Sequence, residues 1–342
     1  MLAVRCNHWA PYLSLELEDV PIPEPGPNEV RIATHYAGVS FATTLVTMGQ
    51  YQRKPPFPFS PGTEIAGVID AVGPGVIGLS MGDRVVAGID WGGHAEYAVT
   101  DASTVYRLPD DMALDVAPQL PASYGTSYAA LAQRARLRAG ETLLVHGAAG
   151  AVGLAAVQFG KALGATVVAT ASTPDKLEFV RLHGADHAVL FPSPTALEEI
   201  RALLPYGAEV VYDPIGGDAF DLSLRCVANS GRILVIGFAG GRIQQIPANI
   251  ILVKDVSVFG FNYGSYTGWT KDTSRRSTHG AAAHGVMEEI FALFRAGKIK
   301  PVTSHCFPLR DYRRAMETVI ARQSMGKVLL QMPIAEAMTP RS

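Results

Sequence analysis

Residues 142–165, TLLVHGAAGAVGLAAVQFGKALGA, constrain the fold of this chain more than any other stretch. A short apolar run leads into a tight turn of small residues, and the turn opens a helix. Gly150 would let the backbone come close to a pyrophosphate, and Gly153 would let the helix pack closely on the strand. Ala149, Gly150, Ala151 and Val152 form the start of that helix, where unpaired amides and the positive dipole end favour phosphate. Ala148 stands where a strict G-x-G-x-x-G turn has its first glycine, so the motif draws its weight from the strand before it and the helix after it. The competing reading is a glycine-rich turn without a ligand.

The sequence beyond about residue 122 repeats this rhythm. Buried-looking β runs at 142–146, 166–170, 209–212, 232–236 and 256–259 alternate with helix-length segments at 151–164, 174–184, 194–204 and 216–229. Such alternation means right-handed βαβ units on a parallel sheet. The first third differs. Short valine-rich runs at 29–35, 66–72 and 83–87 are separated by PIPEPGP, PPFPFSPG and GPG turns, the pattern of an irregular β-rich unit. A polar stretch at 267–280 is read as a surface loop. An amphipathic helix follows over 284–297, with Val286, Ile290, Leu293 and Phe294 on one face. The β pattern returns at 327–331.

Composition narrows the classes. The 342 residues suggest two domains. With 29 basic and 31 acidic residues the formal charge is −2, without the electrostatic footprint of a nucleic-acid binder. No apolar run reaches the roughly 18 residues of a membrane helix, and the opening 20 residues read as a strand pair rather than a signal peptide. The three cysteines, Cys6, Cys226 and Cys306, form neither a disulfide framework nor a zinc pair. These features point to a soluble, cytoplasmic protein.

The second β run, TVVATAST, ends where an NAD site carries an acid for the ribose 2′-hydroxyl. This chain has Ala171, Ser172 and Thr173 there, with Lys176 close behind; Asp175 is read as part of a helix start. A hydroxyl and a nearby cation suit a 2′-phosphate, so NADPH is the expected cofactor. A solvated first-turn lysine is the competing reading for Lys176.

PGTEIAG at 61–67, GDRV at 82–85, GGHAEY at 92–97, LPASYGTSYAAL at 120–131, GAAGAVGLAAVQ at 147–158, YDPIGG at 212–217 and GRILVIGFAGG at 231–241 occur in one order along nearly the whole chain. This set resembles the zinc-free quinone oxidoreductases, the zeta-crystallin-like branch of the medium-chain dehydrogenase/reductase superfamily. The resemblance implies an α/β protein with a GroES-like β-rich catalytic domain over 1–121, a Rossmann doubly wound parallel-sheet cofactor domain over 122–266, and a C-terminal return to the first domain over 267–342. It also implies a cleft between the domains and a homodimer paired through the last Rossmann strand, here near 256–261. Further cofactor positions follow from it: Thr126 near the nicotinamide, Gly237 and Phe238 beside its ribose, and Phe261 to Tyr263 offering backbone to the carboxamide. Arg322 matches an arginine that some relatives place on the 2′-phosphate. Asp213 sits at the carboxyl edge of a strand, where it meets a ligand or caps the following helix.

Zinc-dependent relatives carry a cysteine where this chain has Ser40 and a histidine where it has Thr63, and they insert a four-cysteine lobe absent here. Glu64 alone does not hold zinc, so no metal is expected. The chain also departs from the zinc-free pattern G-V-N-x-x-D, reading Gly38, Val39, Ser40, Phe41, Ala42, Thr43. A quinone is already electrophilic, and its reduction asks for little beyond proximity and a hydrogen bond to the developing oxyanion. Ser40 and Tyr51 are the candidate catalytic residues, with packing at a cleft mouth as the alternative for Tyr51. His94 and His146 sit in strand patterns and read as structural. The expected activity is NADPH-dependent reduction of a quinone. Its rivals are reduction of an activated C=C bond in an enone, alkenal or enoyl thioester, with Arg275 and Arg276 available to CoA phosphates, and a low-turnover NADPH- or RNA-binding role. Neither nucleic acid nor membrane is an expected partner.

Overall fold

The computed structural model describes residues 1–267 and 275–334. The chain divides into two compact units, one comprising 1–122, 264–288 and 301–342, the other 123–263 and 289–300.

The first unit is built on a seven-stranded sheet. Its path runs Thr303–Pro308, Lys327–Gln331, Glu29–Val39, Glu64–Val72, Arg84–Gly88 and Val105–Arg107, with Tyr97–Asp101 paired to Glu29–Val39. The 29–39 strand is buried on both faces, because Val30, Ile32, Ala37 and Val39 join Ile65, Ile69, Val85, Val328 and Leu330 in one core. Removing such side chains from water, at roughly 25 cal/mol per Å², is the main force holding the unit together. Register then places the catalytic candidates. Val328 lies opposite Val39 and Leu329 opposite Gly38, so the strand delivers Ser40 at its end, where it is the N-cap of the Phe41–Thr47 helix. The expected strand pair at the start of the chain is Leu2–Arg5 against Glu16–Asp19.

The second unit is a six-stranded parallel sheet in the order His187–Leu190, Thr166–Ala171, Thr142–Val145, Ala208–Asp213, Val227–Val235, Ser257–Gly260. Helices Ala151–Ala162, Pro174–Leu182, Ala196–Leu203 and Asp218–Cys226 connect its first strands. The order reverses between Thr142–Val145 and Ala208–Asp213, a switch point of the kind at whose carboxyl edge open α/β sheets bind ligands. The α/β class expected from sequence is the architecture present.

The structure corrects several details. The polar stretch read as a loop lies partly outside the described residues, and its end is helical, since one helix runs Arg275–Arg295. Its buried face includes Ala283, Met287 and Phe291 beside Val286 and Ile290, so the apolar stripe begins earlier than the 284–297 reading. The side chains of Arg275 and Arg276 lie outside what is described. Residues 289–300 group with the second unit rather than with the C-terminal return. Two bonds anchor them: Gln158 Nε2 donates to the Lys300 carbonyl at 2.8 Å, and the Lys300 N–H donates to Gln158 Oε1 at 2.9 Å. The strand expected at 232–236 starts at Val227, which pairs with Ala208. Among the described residues, no helix is long and apolar enough to cross a membrane.

Candidate functional site

In the second unit, most of the expected cofactor residues gather at the carboxyl ends of neighbouring parallel strands. Gly147 turns the chain with φ +56°, and Gly150 is the N-cap of the Ala151–Ala162 helix. The two glycines of the motif have different reasons to lack a side chain. A Cβ on Gly153 would meet the Gly147 carbonyl oxygen at 2.4 Å and Ala148 Cα at 2.8 Å, so packing forbids it. A Cβ on Gly150 would meet only the Gly147 oxygen at 3.5 Å, an ordinary contact. Packing within the described residues therefore does not require a glycine at 150.

Asp213, at the end of its strand, is fully buried, and its Oδ1 accepts from the Ile215 and Gly216 N–H groups at 2.8 and 2.9 Å. These bonds shape the turn after the strand, and the cap of the following helix, expected as one role of Asp213, is Gly217 instead. Its Oδ2 has no hydrogen-bond partner among the described residues. The loop carrying Gly237 and Phe238 is pinned to the same turn, because Ala239 and Gly240 donate to the Pro214 and Ile215 carbonyls. Phe238 is 43% exposed.

Phe261 follows the edge strand, and its N–H is committed to the Val235 carbonyl at 3.1 Å. Tyr263 packs on Gly125, where a Cβ would lie 2.6 Å from its ring, and this places it one residue from Thr126. Ser127 Oγ lies 2.8 Å from both the Val152 carbonyl and the Tyr212 hydroxyl, tying this helical segment to the start of the phosphate-turn helix.

Ser172 is exposed after its strand, and Thr173 rather than Asp175 caps the next helix, its Oγ1 accepting the Lys176 N–H at 3.3 Å. Asp175 stands in the first turn. His146 lies just past its strand, buried between Thr170 Oγ1 and Ser223 Oγ at 3.0 Å each. Burial lowers its pKa, and the Asp213 charge opposes that shift.

In the first unit, Ser40 lines a hollow together with Thr43, Val46, Gly62, Asp90 and Trp91. The Ser40 and Thr43 hydroxyl oxygens stand 3.2 Å apart. Tyr51 is not among the lining residues; it packs against the core cluster, and burial raises its pKa. Arg322 is exposed at the turn after the Tyr312–Ile320 helix, also in the first unit. His94 lies at a bend before its strand. It is buried between the Tyr12 hydroxyl at 2.7 Å and the Gly38 carbonyl at 3.2 Å, and burial pulls its pKa down to about 4. It is neutral near pH 7 and structural.

Two family models match the chain: an alcohol dehydrogenase GroES-like domain over residues 26–110 and a zinc-binding dehydrogenase over 151–277. Quinone oxidoreductase-like protein 2 of Rattus norvegicus is 37% identical over 93% of this chain and 89% of its own length. Quinone oxidoreductase of Homo sapiens is 32% identical over 96% of this chain and 97% of its own. The chain belongs to the zinc-free quinone oxidoreductase branch of the medium-chain dehydrogenase/reductase superfamily. Among solved structures, Escherichia coli quinone oxidoreductase complexed with NADPH superimposes with a TM-score of 0.87 at 26% identity, covering 97% of this chain and 100% of that one.

As a member of this superfamily the protein is an oxidoreductase. Its departures from the branch pattern now have a geometry. The positions that hold Asn and Asp in the pattern are Ser40 and Thr43, and they face each other as a hydroxyl pair. Glu64, next to the zinc-histidine position Thr63, is 2% exposed and ion-paired with Lys327, itself 3% exposed. Gly38 makes room for that pair, since a Cβ there would meet Lys327 Cε at 2.8 Å and Glu64 Oε2 at 2.9 Å. Sequence reasoning missed Asp90 and Trp91. The GGHAEY motif begins immediately after Trp91, and nothing in the one-dimensional pattern brings it to Ser40.

Proposed function

We propose that this oxidoreductase reduces quinones with NADPH and without a metal. The observation that carries the reading is the contrast at the phosphate turn, where Gly150 is open toward a ligand while Gly153 is demanded by packing. The residues fit the cofactor. Ala149 to Val152 would hold the pyrophosphate, Ser172 and Lys176 the 2′-phosphate, with Arg322 a further candidate. Thr126, Gly237, Phe238 and the 261–263 segment would hold the nicotinamide half. NADPH, when bound, supplies the hydride.

The chain's own contribution is binding, orientation and charge stabilisation. Ser40 donates a hydrogen bond to the acceptor's carbonyl oxygen as negative charge develops there, and Thr43 holds the Ser40 hydroxyl in place. Solvent supplies the proton. Tyr51 packs on the surrounding core, outside the hollow's lining, and is given no step in this reaction. The donor set disfavours zinc on chemical grounds. Ser40 and Thr63 stand at the cysteine and histidine positions, and Glu64 is already neutralised by Lys327. Cys6 and Cys226 are buried thiols outside any disulfide, which fits a reducing cytoplasmic setting.

Ser40→Ala is expected to lower kcat for a quinone about tenfold with the NADPH KM unchanged, because one oxyanion donor is lost. Steady-state kinetics check this, and an unchanged kcat removes Ser40 from the mechanism.

The protein is further proposed to be a homodimer. Ser257–Gly260 is the edge of its sheet and leaves a row of backbone groups for a second copy. The nearby Ala248–Lys254 helix exposes Leu252 and Val253 at 81% and 83%. Sedimentation should show a dimer that Val258→Pro converts to monomer. A wild-type monomer at micromolar concentration refutes it.

A further inference from the structure

We propose that His94 is a positioning residue for the Ser40 hydroxyl, clamping the strand end that carries Ser40 to the 61–62 segment beside it. The inference rests on the reading of Ser40 as the donor to the acceptor's carbonyl. Pro61 and Gly62 line the same hollow as Ser40. Three backbone donors of the 92–94 turn hold that segment. The Gly92 N–H donates to the Ser60 carbonyl at 2.7 Å, the Gly93 N–H to Gly62 at 3.1 Å and the His94 N–H to Pro61 at 2.8 Å. The His94 side chain takes the other segment: its Nε2 lies 3.2 Å from the carbonyl of Gly38, two residues before Ser40. Gly62 also packs on the ring itself, since a Cβ there would meet His94 Cδ2 at 2.4 Å and Nε2 at 2.9 Å.

A carbonyl only accepts, so Nε2 carries the ring proton and Nδ1 accepts from the Tyr12 hydroxyl at 2.7 Å. Both side chains are buried. Burial first, and the Lys327 charge with it, keep the imidazole neutral near pH 7, and a neutral ring has one N–H to donate. The chain from Tyr12 through the ring to Gly38 therefore fixes one tautomer and one orientation.

Ser40 is the N-cap of the Phe41–Thr47 helix, yet its side chain bonds no helix amide. The place of its hydroxyl is set by the backbone that carries it and by Thr43. A donor to a developing oxyanion works only when aimed at the position of that charge, and small misplacements are costly. His94 itself is not among the lining residues, so its effect on the reaction runs through Ser40.

The test is a double-mutant cycle on kcat with NADPH and 1,4-naphthoquinone. Tyr12→Phe/His94→Leu removes the chain without stranding the tyrosine hydroxyl. It is expected to lower kcat about three- to tenfold with the NADPH KM unchanged. In protein already carrying Ser40→Ala it should lower kcat no further, whereas a purely structural role costs the same factor in both backgrounds. His94→Gln, whose amide N–H can replace Nε2–H, should keep kcat within about twofold of wild type. A readout independent of turnover is nitrogen NMR of the imidazoles, with His94 assigned by the signals missing from His94→Gln. It should show the Nε2–H tautomer.

Additive losses, an inert Ser40→Ala, a His94→Gln protein as slow as Tyr12→Phe/His94→Leu, or the Nδ1–H tautomer overturns the proposal. Each leaves quinone reduction standing wherever naphthoquinone is turned over. If 2-hexenal is reduced and naphthoquinone is not, the cycle is read with 2-hexenal. Non-additive losses there keep the clamp, and the quinone reductase reading falls.

Discussion

Replacing Lys327 with Met should destabilise the first unit by about 3–5 kcal/mol, the expected cost of leaving one partner of a buried ion pair alone. Glu64 and Lys327 are both almost fully buried and bonded to each other. Glu64 Oε1 has no hydrogen-bond partner among the described residues, so little else is placed to offset the carboxylate's charge. The pair links the first residue of the Glu64–Val72 strand to the first residue of Lys327–Gln331. It does so across Gly38, two residues before Ser40. Removing both charges together is a different experiment. Apolar residues of similar volume often replace a buried pair at no net cost, so Glu64→Met/Lys327→Met should be more stable than Lys327→Met alone. Thermal and urea unfolding of the three proteins decide it. A single variant no less stable than the double contradicts the assignment of a dependent pair.

The second large effect separates the two glycines of the phosphate turn. Gly150→Ala should leave the melting temperature within a degree or two of wild type and weaken NADPH binding by tenfold or more, because the added methyl finds room in the fold but occupies the ligand's approach. Gly153→Ala should do otherwise. Its methyl meets backbone atoms of Gly147 and Ala148 that cannot rotate away, and overpacking of this kind costs typically 1–3 kcal/mol. Stability and NADPH affinity should fall together. Titration of the cofactor beside a thermal melt reads both quantities. If Gly150→Ala binds NADPH as wild type does, the turn is not the phosphate site.

The parts of this fold that were legible in the sequence are those where a local pattern has one structural meaning. The 142–165 stretch is such a case, since apolar run, glycine spacing and helix length all agree, and the strand, turn and helix lie where they were expected. The His187–Leu190 strand was not foreseen: its four residues carry too little periodicity, and it exists because Thr166–Ala171 offers it an edge. The 275–295 helix was obscured by the polar residues at its start, whose pattern resembles a loop. At the site, Ser40 was found through a motif, and the Gly147–Val152 turn through its chemistry. Asp90 and Trp91 were not found, because the connection between the Arg84–Gly88 and Tyr97–Asp101 strands brings them to the hollow beside Ser40, and this leaves no signature in spacing. The Glu64–Lys327 pair is hidden for the same reason: 263 positions separate its members.

The most direct test of the central claim is the initial rate of NADPH oxidation, with NADH in parallel, against a panel of quinones, an alkenal and an enoyl thioester. NADPH-dependent turnover restricted to the quinones is the result this account predicts, with NADH markedly slower because Ser172 and Lys176 suit a 2′-phosphate. Turnover confined to the C=C acceptors, or tight NADPH binding with no turnover of any of them, would contradict it.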